Sequence, residues 1–305
     1  MSASEHDRPM LALLVRLGGI LGLSIMAALI KLASERGIHL AEIIFWRQFT
    51  TLPIILAFAA LTTGGVRQLA TKRPGAHAMR GIYGAIGMVF NFGAVILLPL
   101  AEATTINFSA PIWAVILSIV LLKEKVGWWR CSAVLAGFAG ILVITQPGGS
   151  HIPLQGALVA MGGAFMIALI SIQIRDLSST EKPMAIVFWF AVLSSLCALP
   201  FMPFVTKAHT GEEWLILLGI GLAGTWGQLM ITAALRYGKV SSVIVMDYSA
   251  IVWATLLGFL LFAVLPPAST FVGAPLIIAA GIIIAWRERV VSKRRFADLR
   301  DSTSI

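Results

Sequence analysis

An all-α polytopic membrane protein, with ten transmembrane helices set as a 5+5 inverted-topology repeat around a central cavity, is the fold class this sequence predicts. Three observations predict it. The chain is 58% hydrophobic and only 12% charged over 305 residues, against about 25% charged in an ordinary soluble domain. Too few polar residues remain to cover a water-exposed surface, so most of the chain must face lipid. Apolar runs suited to a helix that crosses the hydrocarbon core recur ten times. A short motif is also written twice, as "NFSAPIWA" from Asn107 to Ala114 and as "DYSAIVWA" from Asp247 to Ala254.

The elements follow in order. The first span, 10–32, is too long for a signal-peptide core and lacks a cleavage site, so it is read as retained. The second, 39–60, carries Arg47 and Pro53. The third, 78–99, follows the one long connection, Arg67–Arg80, and presents Arg80, Gly84, Gly87 and Asn91 on one small polar face, with Tyr83 beside it. The fourth, 102–122, contains the first motif and Pro111. The fifth, 131–146, is short and glycine-rich ("AVLAGFAGILVI"). The sixth is 154–174, and the seventh, 184–205, includes Trp189. The eighth, 213–235, lines up Gly221, Thr225, Gln228 and Thr232, with Trp226 nearby. The ninth, 240–263, holds the second motif, and the tenth, 270–287, is again glycine-rich ("APLIIAAGIIIA"). The expected organisation is a tail at 1–9, a first half at 10–147, a second half at 148–287 and a basic tail at 288–305.

The net charge of +9 raises nucleic acid as a partner, but its distribution argues for a lipid bilayer instead. With the N-terminus inside, 18 of the 23 basic residues fall on the cytoplasmic side, the last of them in the tail from Arg287 to Arg300. That is the positive-inside asymmetry of an inner-membrane protein with both termini cytoplasmic. Arg16 lies within reach of the inner interface and is expected to snorkel there. Nothing supports an enzyme: there is no H-E-x-x-H, G-x-S-x-G or phosphate loop. No cofactor or metal is expected, since the five histidines lie in tails or turns. No stretch is left for an ATP-hydrolysing module of domain size.

Aligning Phe108–Leu122 with Tyr248–Phe262 matches Ser109 with Ser249, Ala110 with Ala250, Trp113 with Trp253, Ala114 with Ala254, Leu117 with Leu257 and Leu121 with Leu261. Both copies lie in the fourth helix of a five-helix half. Five is odd, so the second half enters the membrane from the opposite side. Such an inverted repeat lets a carrier rock between two open states.

Polar groups inside spans are the candidate site, because an ionisable side chain there is costly without a cavity or partner. Arg47 bridges helices or binds a substrate carboxylate. Asp247 holds a backbone or tyrosine partner, or meets a substrate ammonium or a proton. Asn91, Asn107 and Gln228 need partners away from lipid. Tyr83, Trp113, Trp189, Trp226, Tyr248 and Trp253 are packing residues or a wall that stacks solutes and attracts cations. Pro53 and Pro111 are static kinks or hinges.

The stretch from Arg80 to Pro147 resembles the half-module of EamA-type carriers in the drug/metabolite transporter superfamily. The likeness lies in the Arg that opens the third helix, "LPLAEAT" at the outer turn, the proline of the fourth helix, "KEKVG" at the inner turn and the glycine-rich helix ending in proline. It extends from Leu11 to Trp286. The second half departs at Ile251 and at "FAVLPPAS". The resemblance implies a carrier path between the halves, with helices five and ten outside it. It also implies alternating-access export of small organic metabolites, most of all amino acids, including aromatic ones. Protons are a candidate coupling ion. The competing readings are uptake of a nucleoside-like solute such as S-adenosylmethionine and, in a different class, a non-transporting scaffold or membrane enzyme.

Overall fold

The computed structural model describes residues 9–62, 64–122, 128–146, 152–237 and 244–302; side chains at 9, 121–122, 129–130, 235–237, 244–245, 285 and 287–302 are outside the description. All regular structure among the described residues is helical. The helices are α1 (Pro9–Glu35), α2 (Leu40–Leu61), α3 (Pro74–Leu97), α4 (Leu100–Asn107), α5 (Ala110–Leu122), α6 (Trp128–Thr145) and α7 (Leu154–Ser178). They continue as α8 (Pro183–Ala198), α9 (Met202–Val205), α10 (Gly211–Tyr237), α11 (Ser249–Phe262) and α12 (Ala268–Ser302). Seven helical segments are long and apolar enough to cross a membrane, and three shorter apolar helices, Cys131–Thr145, Met246–Phe262 and Ala268–Ile284, join them. These ten segments fall on the ten expected spans.

The boundaries differ from expectation in four places. First, the fourth span is two helices. The Phe108 amide turns back to Thr105 O at 3.1 Å and the Ser109 amide to Ile106 O at 2.9 Å, so the α-ladder stops there. It restarts when Ile112 and Trp113 both donate to Ser109 O. Pro111 thus occupies the first turn of α5, where its missing N–H is no loss; it is not a kink inside a continuous helix. Pro53, in contrast, sits within an unbroken α2. Second, α3 begins at Pro74, a favoured first residue. Arg80 therefore lies well inside the helix and is buried, not in the loop where its charge was counted. Third, the seventh span closes with a 3-10 turn at Leu199–Phe201 and the short α9. Fourth, the expected tail is helical as far as Ser302, continuous with the tenth span.

Short connections and side-chain contacts make neighbouring helices antiparallel. Arg36 at the end of α1 pairs with Glu212 at the start of α10, while Arg16 near the start of α1 donates to Ile231 O late in α10 at 3.3 Å. We call the face on which α1 begins basal and the face on which it ends apical. The most extensive packing is α1 on α10, α6 on α12 and α3 on α7, with α2 on α8, α3 on α8 and α2 on α10 next. Small residues permit it: a Cβ added at Gly227 would lie 2.9 Å from Gly19 O, and one at Gly140 would lie 2.9 Å from Gly273 O. The turn after α1 needs Gly37 at φ 76°, so that Ile38 N can reach Ala33 O at 3.1 Å.

Polar clasps close both ends. On the apical face the fully buried His209 meets Glu42 at 2.6 Å and Glu213 at 3.3 Å, and Lys207 meets Glu213 at 2.9 Å. The Trp46 and Trp214 rings pack edge to face beneath, 4.9 Å apart. On the basal face Arg73 pairs with Asp176 at 2.7 Å, and Thr71 donates to Glu181 at 2.8 Å. That hydrogen bond, with the Lys72 amide, holds the Glu181 carboxyl below its ordinary range.

Candidate functional site

A cavity of about 290 Å³ opens among α2, α3, α7, α8 and α10. Its deep end is set by Arg47, Gln48 and Gly224 near the middle of α2 and α10; its basal end reaches Ser178, Pro183 and Thr232. The walls between are apolar, from Ile55, Ile174, Ile186, Val187, Phe190 and Leu229. None of α1, α4, α5, α6, α11 or α12 contributes a lining residue.

Two arginines dominate the interior. Arg47 Nη1 donates to the Gln48 side-chain oxygen and to Met88 Sδ at 3.7 Å, while its Nε has no hydrogen-bond partner among the described residues. Arg80 stacks its guanidinium on the Phe190 ring, 4.0 Å from the centroid. Its Nε and Nη1 likewise lack partners. Stacking orients the guanidinium plane and leaves its edge free to donate. Neither arginine has an ion-pair partner among the described residues, and no Asp or Glu lines the cavity. Space for both is reserved by glycines. A Cβ at Gly84 would collide with Arg80 Nη1 and the Phe190 ring, and one at Gly224 would crowd Arg47 Nε at 3.3 Å and Met26 Sδ at 2.7 Å. At the side, Thr51 and Thr225 share a hydrogen bond of 2.8 Å between α2 and α10.

Of the site residues expected from sequence, Arg47 and Gln228 line this cavity. The others lie elsewhere. Asp247 does not line this cavity; Arg16 grips it with two hydrogen bonds, Nε to Oδ1 at 2.7 Å and Nη2 to Oδ2 at 2.6 Å. This also corrects the reading of Arg16, which is buried and does not snorkel. Trp226 is 55% exposed on the outside of the bundle. Trp189 donates to Leu69 O at 2.9 Å and fastens α8 to the turn after α2. Tyr83 is half-buried and flanks α3 away from the lining.

The remaining residues gather near the break in the fourth span. Asn91 donates to Gly87 O at 2.7 Å and Gly163 O at 3.4 Å. A Cβ at Gly163 would touch both Asn91 Oδ1 at 3.1 Å and Asn107 Oδ1 at 3.3 Å. Trp113 packs edge to face on Phe138 and Phe165. The Phe108 and Tyr248 rings, second in the two motif copies, meet at 5.2 Å. The buried polar atoms Asn107 Oδ1, Ser109 Oγ, Trp113 Nε1, Ser249 Oγ and Trp253 Nε1 all lack hydrogen-bond partners among the described residues. Both copies thus bury the same kinds of unsatisfied group.

Arg80 is the site residue that its sequence position concealed. Its signal was present: it shares a helical face with Gly84, Gly87 and Asn91.

The EamA-like transporter family matches the chain twice, over residues 10–146 and 154–286. The pseudopaline exporter of Pseudomonas aeruginosa is 32% identical over 266 residues, which cover 86% of this chain and 91% of the relative. The S-adenosylmethionine uptake transporter of Rickettsia felis is 24% identical over 258 residues, 85% of this chain and 87% of the relative. A crystal structure of a protein 23% identical superposes with a TM-score of 0.59, covering 92% of this chain and 98% of that one; it agrees with the fold.

Proposed function

Because the chain belongs to the EamA-like transporter family and is a multi-pass membrane transporter rather than an enzyme, we propose that it is a secondary carrier. Its cargo is a small carboxylate-bearing metabolite, with amino acids the first class to test, and it works by alternating access from the arginine-lined cavity. The observation that carries this reading is Arg47, whose buried Nε stands without a partner among the described residues at the deep end of a cavity that no described Asp or Glu lines. A carboxylate would receive its N–H groups in pairs. With the basal face cytoplasmic, as the positive-inside asymmetry favours, the cavity would face the cytoplasm, ready for loading and export.

The rocking mechanism needs the 5+5 inverted repeat, over 10–147 and 148–287. Four observations support that arrangement. The family matches each half separately. Exchanging the halves swaps α1 on α10 for α7 on α3, and α2 on α10 for α8 on α3, and all four contacts exist. The first copy breaks the α-ladder after Asn107, and the aligned place in the second copy is the 3-10 turn Ile244–Tyr248, where the α-helix from Ser249 begins. The aligned aromatics Phe108 and Tyr248 touch, as residues beside a two-fold axis do.

A nucleoside-like cation is the second reading, and one relative's name supports it. The site does not: such a cargo would meet two guanidiniums, and Asp247 is already paired. Uptake of labelled amino acids, organic acids and S-adenosylmethionine into proteoliposomes, with and without a pH gradient, tests the proposal. Accumulation of an amino acid or an organic acid is the expected result. Flux of S-adenosylmethionine alone would replace this reading with the second.

A further inference from the structure

Resting on the carrier reading above, we propose that the cargo is a small organic dianion whose two negative charges are shared between Arg47 and Arg80. The cavity is short of acceptors, not of donors. Arg47 Nε, Gln48 Nε2, Arg80 Nε and Arg80 Nη1 are all buried without partners. The nearby hydroxyls of Thr51 and Thr225 already bond each other. Buried donors left without acceptors are costly, and charged ones more so. A ligand rich in anionic oxygens relieves that cost.

One negative charge is not enough. A zwitterionic amino acid brings a carboxylate and an ammonium. The carboxylate would offset one guanidinium, while the ammonium would find no acid on the lining. Acids outside the lining are engaged elsewhere: Asp176 by Arg73, Glu181 by Thr71, Asp247 by Arg16 and Glu42 by His209. A second anionic group on the cargo matches the second guanidinium. The volume of about 290 Å³ lies at the small end of the roughly 300–1,000 Å³ typical of small-molecule sites, which suits a compact dianion.

Both arginines are also held in place. Phe190 fixes the plane of Arg80, and Gln48 and Met88 fix one edge of Arg47. Gly84 and Gly224 leave the room that these positions need.

Counterflow in proteoliposomes tests the proposal, using succinate, glutamate, a hexose phosphate, glutamine and lysine with wild type, Arg80→Gln and Arg80→Lys. Wild type should exchange at least one dianion about tenfold faster than glutamine, the loss expected for one charge-assisted contact. That preference should collapse toward unity in Arg80→Gln and survive in part in Arg80→Lys. Preference for the diacids or for the hexose phosphate would identify the anionic group, and either supports the proposal. Glutamine or lysine moving as fast as every dianion would overturn it while leaving the carrier reading intact. No exchange of any solute would count against the carrier reading. The thermal midpoint of the purified protein then decides the site: stabilisation by succinate or the hexose phosphate but not by glutamine, absent in Arg80→Gln, upholds it, and no difference overturns it.

Discussion

Asp247 and Arg16 show how a single residue's role depends on a partner 231 positions away. An aspartate inside a span is conspicuous in sequence, and its cost without a partner is plain. Which partner it takes is not written locally. The structure supplies Arg16, with side-chain exposures of 9% for the arginine and 33% for the aspartate. Asp247→Asn and Arg16→Gln should each lower the thermal midpoint, and the double variant should lose less than their sum. A coupling of about 0.5–3 kcal/mol is expected from neighbours in one ion pair; additive losses would show the pair to be idle. Arg47 and Gln228 were legible because polar groups within apolar runs need a cavity. Arg80 was legible as part of the polar face of the third span, but its charge was also counted with the loop before it, so it was not singled out as a site residue. Gly84→Ala tests its placement: the new methyl group should displace the Arg80–Phe190 stack and lower transport about tenfold, as loss of a charge-assisted contact would. Unchanged transport would mean that the stack does not position the site. On the basal face, Glu181 contributes stability that is complete above its ordinary pKa of 4.5 and is lost as pH falls through the depressed folded value. Thr71→Val, by removing the main cause of that depression, should reduce the loss of thermal midpoint between pH 6 and pH 4, as read by scanning fluorimetry over about two units.

At the scale of elements, hydrophobic run length located every span, because crossing hydrocarbon is a constraint that each segment meets by itself. The breaks were less visible. Pro111 advertised an interruption, yet the ladder fails before it, at Phe108 and Ser109, because proline is better placed at a helix start than inside. Pro111→Ala should allow α4 and α5 to join, slowing flux while expression persists; wild-type flux would make the break passive. The end of α11 carries strain of another kind. Ala263 adopts φ 53° and ψ 28°, and its amide closes on Phe259 O at 3.0 Å while Val264 closes on Gly258 O. A left-handed alanine costs about 1 kcal/mol relative to glycine. Ala263→Gly should therefore raise the thermal midpoint, and a lower midpoint would show that the turn is held by other contacts.

Across the whole molecule, the duplicated motif explains more than either copy does. Asn107 and Asp247 head matching sentences because both stand just before an α-helix starts, beside the contact of Phe108 with Tyr248. The first copy faces Asn91 and Gly163, and the second faces Arg16. The same position thus became neutral in one half and ionic in the other. Reading the duplication from sequence revealed the likeness but not this division, since the partners lie on α1, α3 and α7. Reporter fusions at Ser150 and at the C-terminus should read periplasmic and cytoplasmic respectively, and the reverse would turn the cavity toward the outside. The central claim is that the cavity bounded by Arg47 and Arg80 carries the solute. Solute exchange by wild type and Arg47→Gln in proteoliposomes, at matched protein and matched thermal midpoint, tests it most directly. The account predicts that exchange of the best wild-type cargo falls about tenfold or more, the scale of a lost charge-assisted contact. Exchange at the wild-type rate without Arg47 would contradict it.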